Sequence, residues 1–182
     1  MSLRSSLRDL SAQAQDRVLG LFERYQGGGI TRSEFIAAAS AVIAQANGRA
    51  IRTADRAAAI QLSRLLRTEV PPEPTDLGDQ RSRLRDALGT LLDEQPEIAT
   101  TAALLAESQR RRLGRLARAE PLSVGQTALQ RNLQRRDMGW VRVTGPDPCP
   151  LCIEWDDGQV RPASVSMPHH VGCSCVQQPA RL

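Results

Sequence analysis

The chain has 182 residues, of which 41% are hydrophobic and only 3% aromatic. Its formal net charge of +4 is carried by arginine, because the chain contains no lysine. No segment resembles a signal peptide or reaches the length of a membrane span, so we expect a protein made in a reducing cytoplasm, without contact to a membrane. The apolar residues are mostly alanine and leucine, which favours long helices packed on one another.

The first 69 residues form one predicted helical region. Residues 1–26 place apolar side chains at near-heptad spacing, and a triple glycine ends that helix. Thr31 opens a capping box for the next helix. We expect that helix to pause at Asn47–Gly48, and a further helix to run from about residue 53 to 67.

A proline-rich stretch, residues 70–79, separates this region from a second helical region at 80–138. Three prolines within four positions exclude helix and favour an extended linker, which lets the two regions take different orientations. Leucine spacing then predicts a helix that ends near Pro96, followed by another. Pro121 is expected to divide this last helix from a shorter one capped by Ser123.

Residues 139–182 have a different composition and form the last predicted unit. Residues 140–145 alternate as a strand does, and Asp157–Gly158 is typical of a hairpin turn. The segment has too few apolar residues to form a hydrophobic core of its own, so it needs a cross-link such as a bound metal ion to stabilise it. The predicted fold class is mostly α, with an extended helical N-terminal region and a small zinc-stapled β or irregular C-terminal module.

All four cysteines and both histidines fall in the last 34 residues. Their pattern is a Cys-x2-Cys pair, then 17 residues, then His-x2-Cys-x-Cys. Zn²⁺ accepts three thiolates and an imidazole as readily as four thiolates. The candidate ligands of a structural zinc ion are therefore Cys149, Cys152, His170, Cys173 and Cys175, with His169 ranked below them.

The second ligand group leaves two alternatives open. If residues 171–175 form a strand, Cys173 and Cys175 face the same side and an all-thiolate site is favoured. If they form a turn, His170 and Cys173 converge better. The spacing favours Cys149, Cys152 and His170 together with one of the last two cysteines.

Disulfides, unligated thiols and a redox-active Cys-Pro-Leu-Cys are the alternative interpretations of these cysteines. In a reducing compartment, closely spaced cysteines indicate metal ligands more readily than disulfides. A thioredoxin-like motif opens a helix, whereas here we expect a strand-like stretch after Cys152. A catalytic zinc is disfavoured, because a full set of protein ligands leaves no open coordination position.

The segment 139–175 resembles the C-terminal module of phage minor head proteins of the MuF type, in the variety found in phages of actinobacteria. The resemblance rests on the stretches GWVRVTGPDPCPLCIEWDDGQV and HHVGCSC. The positions that fill the pattern are Trp140, Arg142, Cys149, Cys152, Gly158, His170, Cys173 and Cys175. The chain departs from the family in having Val171 after the histidine, and in the short stretch before His170.

The resemblance implies a virion structural protein rather than an enzyme. Such a protein lies in the capsid interior at the portal vertex, and binds the portal or the major capsid protein during head assembly and DNA packaging. It implies no small-molecule substrate. Some related genes are labelled capsid maturation proteases, but this chain has no serine in a recognisable nucleophile motif, so protease activity is the lesser alternative.

Arginines cluster on two faces in the second helical region. Arg111, Arg115 and Arg118 share one predicted helix face, and Arg131 with Arg135 another. These faces are either solvated or in contact with the phosphates of packaged DNA or an acidic protein surface. A small zinc-ribbon DNA-binding or regulatory protein is therefore the main alternative. It is disfavoured because residues 149–175 contain one arginine and three acids.

Overall fold

The computed structural model describes residues 2–94, 101–145, 148–168, 173 and 175–182. It confirms the predicted fold class, with 66% helix, 7% strand and a small sheet in the cysteine-containing C-terminal region. The helices of the N-terminal part are α1 Leu3–Gln26, α2 Arg32–Leu66, α3 Gln80–Asp93 and α4 Ala102–Gln134. The C-terminal part contains β1 Gly139–Val143, α5 Pro150–Glu154, β2 Arg161–Pro162 and β3 Val176–Ala180.

Local capping signals set several helix boundaries. The predicted capping box of α2 is confirmed, because Thr31 N donates to Glu34 Oε2 at 2.8 Å while the Thr31 hydroxyl accepts from Glu34 N. Asp79 is the N-cap of α3, and its carboxylate accepts hydrogen bonds from the backbone N–H groups of Arg81 and Ser82. The glycine turn after α1 includes Gly28 at a φ of 73°, a backbone conformation that favours glycine.

Helix α2 runs without a break through Asn47–Gly48, so the predicted pause there is wrong. The Asn47 side chain is fully buried, and its Nδ2 donates to Glu120 Oε2 of α4 at 3.1 Å. Asparagine and glycine are weak helix formers. Here packing against α4 outweighs that local preference.

Helix α4 likewise passes through Pro121, so the predicted division into two helices is wrong, and Ser123 is not an N-cap. Pro121 and Leu122 are buried, and α4 packs closely against α1. The two helices lie so close that a Cβ added at Gly125 would be 2.7 Å from Leu7 Cδ2. This close packing on both sides of the proline holds α4 together as one element, despite the backbone hydrogen bond that proline cannot make.

Helices α1, α2 and α4 pack on one another, and two core clusters result. One is centred on Phe22 and Phe35, whose rings lie 5.9 Å apart, and includes leucines of α3. The other runs from α1, α2 and α4 into the C-terminal module, where it includes Trp140 and Met167. The module thus shares its core with the helices, which supplies the apolar surface that its own sequence lacks.

The segment between α2 and α3 contains no helix, as its prolines predict, but it is held against the helices. Buried Thr75 donates from N and Oγ1 to the Asp55 carboxylate, at 3.1 and 2.8 Å. Asn132 Nδ2 of α4 donates to the same carboxylate at 2.8 Å. Three separate parts of the chain therefore meet at Asp55.

The division of the chain into units at residues 69, 79 and 138 stays a prediction.

The strands form one antiparallel sheet in the order β2-β1-β3. The predicted strand at Trp140 is confirmed, and Trp140 and Arg142 both point to its buried face. The prediction of a hairpin turn at Asp157–Gly158 is wrong, because the residues before it form helix α5 and not a strand. Asp157 instead accepts from Gln159 N at 3.0 Å and pairs with Arg161. None of the described helices is both long and apolar enough to cross a bilayer.

Candidate metal centre

The first two cysteines lie at the start of α5. Cys149 is the N-cap, Pro150 occupies the first helical turn, and Cys149 O accepts from Ile153 N at 3.1 Å. Cys152 follows on that turn and is buried. A short helix therefore begins within the Cys-x2-Cys motif, and the expected strand-like stretch after Cys152 is wrong. Proline at the first helical position, with its fixed φ, favours this turn over a strand.

The other two cysteines are held in place by α4. Cys173 and Cys175 are both buried, and Gln126 Nε2 donates to the carbonyl of Cys175 at 2.7 Å and to that of Cys173 at 3.5 Å. Strand β3 begins only at Val176. Strand alternation at Cys173 and Cys175 therefore does not explain why their sulfurs converge.

The four cysteines form one thiol cluster. The sulfurs of Cys152, Cys173 and Cys175 all lie within 4.8 Å of one another, and Cys149 contacts the Cys152 thiol. Cys152 Sγ and Cys173 Sγ are 3.5 Å apart, and none of the four cysteines forms a disulfide. Sulfurs around one tetrahedral zinc at ~2.3 Å are about 3.8 Å apart. The cluster is therefore compatible with a shared metal ion. The candidates His169 and His170 lie outside the described residues.

The pKa values of these thiols suit metal ligands better than redox nucleophiles. Burial, followed by hydrogen bonds with Cys175, Cys173 and Cys149, raises the pKa of the Cys152 thiol well above its ordinary value. Burial likewise raises the pKa of Cys175. A reactive cysteine needs a lowered pKa. Burial therefore disfavours the thiolate forms of Cys152 and Cys175 in the absence of a metal, whereas a bound metal ion displaces the thiol protons.

Arg142 borders the thiol cluster, although the sequence pattern includes it without giving it a role in the metal centre. It is only 5% exposed, and its guanidinium carbon lies 5.4 Å from the centroid of the Trp155 ring. The guanidinium also lies against Cys175, whose pKa it lowers against the larger effect of burial. The signal available in the sequence was the spacing of Trp140 and Arg142, since residues two apart in a strand share a face.

Polar side chains of α4 attach the rest of the module to the helices. Gln130 and Gln134 both donate from Nε2 to Ala163 O, at 3.0 and 2.8 Å. Within the module, Trp140 Nε1 donates to Val165 O at 3.0 Å. Together with Gln126 these bonds place the thiol cluster at the junction between the sheet and the helical bundle. The three glutamines are four residues apart and share one face of α4, a spacing that the sequence analysis did not use.

The predicted arginine faces lie in two different settings. Arg111, Arg115 and Arg118 are exposed, and they line a groove of about 630 Å³ between α1 and α4. Arg131 instead donates to Asp76 O at 2.5 Å, and Arg135 pairs with Glu73 at 3.2 Å. Arg131 and Arg135 therefore bind the segment between α2 and α3, and their guanidinium groups interact with that segment and not with an external partner.

The fold and the site together define a helical bundle to which a three-stranded sheet with a buried cysteine cluster is attached. No protein-family model matches the chain, and no significant similarity was found to curated proteins or to solved structures.

Proposed function

We propose that the chain is a structural zinc protein, and that it serves as a MuF-like minor head protein of a phage virion. The observation that carries the first part is the convergence of four thiols from two distant segments at one buried point. The second part depends on the resemblance of the segment 139–175 to the C-terminal module of that family. The assembly role follows from the two together.

Zinc is the metal that this ligand set favours, with iron as the other metal that tetrahedral thiolate sites bind. The convergent thiols of Cys149, Cys152, Cys173 and Cys175 support a set of four thiolates, with His170 as the alternative to one of them. Cys152, Cys173 and Cys175 are each less than 5% exposed, so these three sulfurs are shielded from solvent. A structural role is therefore favoured over a catalytic one.

Metal analysis of the protein, purified without a tag under reducing conditions, is expected to give close to one zinc ion per chain. The physical reason is that thiolates held at tetrahedral spacing bind zinc strongly. Mass spectrometry of the intact protein under native conditions would show the added ion. Iron in place of zinc would change the metal but keep the site, whereas metal-free protein would contradict the proposal.

The exposed apolar residues favour a binding partner for the C-terminal module. Among the described residues, five of the seven exposed large hydrophobic side chains lie in that module. They are Leu151, Ile153, Val160, Val165 and Leu182. Neighbouring exposed apolar side chains indicate a surface that another protein covers, and Val160 and Leu182 both lie beside Gly139. In the proposed role that protein is the portal or the major capsid protein.

The virion role is tested by looking for the chain in purified particles. We would purify virions produced by the genome that encodes it, and identify their proteins by mass spectrometry. The major capsid protein serves as the positive control, and a phage-encoded replication enzyme as the negative control. Finding the chain in the supernatant but not in particles would contradict the virion role and leave the metal site unaffected.

Contact with DNA is a second property that a specific observation favours, namely the open groove lined by arginines between α1 and α4. We expect the combined variant Arg111→Ala, Arg115→Ala and Arg118→Ala to bind duplex DNA about 10-fold or more weakly at low salt, and the slope of log affinity against log salt to fall by about 3. Fluorescence anisotropy with a labelled duplex measures both quantities.

A matched control removes the same charge from elsewhere. The variant Arg64→Ala, Arg81→Ala and Arg85→Ala also loses three exposed arginines, but lies outside the groove. Equal weakening by both variants would mean that only net charge matters. The module itself is a poor DNA-binding surface among the described residues: Arg142 is buried, Arg161 pairs with Asp157, and Arg181 donates to Leu65 O. This disfavours the zinc-ribbon alternative.

A further inference from the structure

We propose that Arg142 is the charge-compensating residue of the metal centre, and that its guanidinium donates hydrogen bonds to the thiolate of Cys175 when metal is bound. This inference rests on the proposed metal site and adds to it a residue that controls how tightly the metal is held.

The first step is that Arg142 is a buried cation without a carboxylate. Its side chain lies on the inner face of β1, and none of the ion pairs among the described residues involves it. A buried charge is strongly unfavourable unless an opposite charge and hydrogen bonds compensate it. The fold therefore places a positive charge where a nearby negative group would stabilise it.

The second step is that the guanidinium has unused donors. Nη2 donates to Pro168 O, but Nε and Nη1 are buried without a hydrogen-bond partner in the described part of the chain. Gln177 lies directly opposite Arg142 in the β1–β3 register, and its buried amide also lacks a partner, so it does not satisfy these donors. The Trp155 ring covers one side of the guanidinium.

The third step identifies the negative group. Val176, the residue after Cys175, pairs with Val143 in the β1–β3 register, so Cys175 lies at the same end of the sheet as Arg142. The Arg142 guanidinium interacts with the Cys175 thiol, which is part of the thiol cluster. A neutral thiol is a weak acceptor and carries no charge. A divalent ion with four thiolates has a net charge of −2, and with three thiolates and a neutral imidazole −1. Metal binding therefore creates beside Arg142 the negative charge that its guanidinium needs in every ligand set that includes Cys175.

The consequence is that Arg142 and the metal stabilise each other. Residues that hydrogen-bond to metal ligands typically change metal affinity about 10- to 100-fold when they are removed. In the metal-free protein no metal-bound thiolate faces the guanidinium, so the buried cation lacks that counter-charge. A residue that only filled space would stabilise both forms equally.

The test uses Arg142→Met, which keeps the length of the side chain and removes its charge, and Arg142→Lys, which keeps the charge. We expect Arg142→Met to bind zinc about 10- to 100-fold more weakly in competition with a chromophoric chelator. Arg142→Lys should recover part of that loss. Metal-free Arg142→Met should melt at the same temperature as the metal-free wild-type protein, or at a higher one. Arg161→Met, the other cation–π arginine of the module, is the matched control and should keep wild-type zinc affinity.

Two results would overturn the inference while leaving the metal site intact. One is unchanged zinc affinity in Arg142→Met, and the other is an equal loss of melting temperature in its metal-bound and metal-free forms. If Arg142→Met does not fold, the test uses Arg142→Lys loaded with Co²⁺. Its thiolate charge-transfer band should be shifted from that of the Co²⁺-bound wild-type protein, because the hydrogen bonds to Cys175 are changed, and an unshifted band would contradict the inference. A wild-type protein that binds no metal would instead refute the proposed function itself, and this inference with it.

Discussion

Replacing Cys173 by serine is expected to abolish stoichiometric zinc binding and to detach the C-terminal module from the helical bundle. Cys173 Sγ is 3.5 Å from Cys152 Sγ inside the thiol cluster, and the Cys173 carbonyl is bound by Gln126 of α4. Zinc that binds only the folded form stabilises it by about 4 kcal/mol at a free concentration 1,000-fold above its Kd. At roughly 2–4 °C per kcal/mol, the melting temperature should fall by about 8–16 °C.

Two optical signals separate the module from the bundle in this experiment. Trp140 and Trp155 are the only tryptophans of the chain, and both lie in the C-terminal module. Tryptophan fluorescence therefore follows the module, while far-ultraviolet circular dichroism follows the helices. We expect the fluorescence transition of Cys173→Ser to move to lower temperature more than the helical transition does.

A matched control separates loss of a ligand from burial of a hydroxyl group. Ala163 is buried in the same core cluster but offers no ligand, so Ala163→Ser adds a hydroxyl group without touching the thiols. It should keep its zinc and lose about 1–2 kcal/mol. A Cys173→Ser protein that retains one zinc per chain and melts like Ala163→Ser would show that Cys173 is not a ligand.

Replacing Asp55 by alanine is expected to be the most destabilising change outside the metal centre. The Asp55 carboxylate accepts hydrogen bonds from Thr75 N, Thr75 Oγ1 and Asn132 Nδ2, all in a buried setting. Its removal leaves these donors without their acceptor, at a cost of about 3 kcal/mol in the free energy of unfolding. Chemical denaturation measures this loss, and trypsin should cleave faster after Arg67, because the segment that follows is no longer held.

The control for this variant is Glu69→Ala, an exposed acid of the same segment. It removes the same charge and should leave both stability and cleavage close to those of the wild-type protein, within about 0.5 kcal/mol. If Asp55→Ala unfolds at the same denaturant concentration as Glu69→Ala, the buried network contributes little. The segment between α2 and α3 would then behave as the loose linker that its prolines suggested.

Much of the local structure could be predicted because it depends on neighbouring residues. The capping box at Thr31, the end of α1 at its glycines and the strand at Trp140 all follow from interactions within a few positions. The gathering of the four cysteines could also be anticipated, since their spacing is characteristic of a metal site. That a short helix follows Cys149 could not be, because five residues are too few to show a helical period.

The two errors within the long helices have one physical origin, which is that long-range packing outweighed local preference. Asn47–Gly48 and Pro121 are weak points of an isolated helix, yet both lie where α2 and α4 or α1 and α4 are in close contact. The free energy of burying those surfaces exceeds the local cost. The residues that neighbour Asn47–Gly48 and Pro121 in sequence do not indicate which distant helix packs against these positions.

The amino-acid sequence by itself determined where helices begin, which segment extends, and which side chains are chemically able to hold a metal ion, because caps, periodicity and ligand type act over short distances. The tertiary structure decided that α2 and α4 are continuous, that the thiol cluster lies at the junction of sheet and bundle, and that Arg142 is buried beside it. Those features depend on contacts such as Gln126 with Cys175, 49 residues apart, which form only when the whole chain is packed.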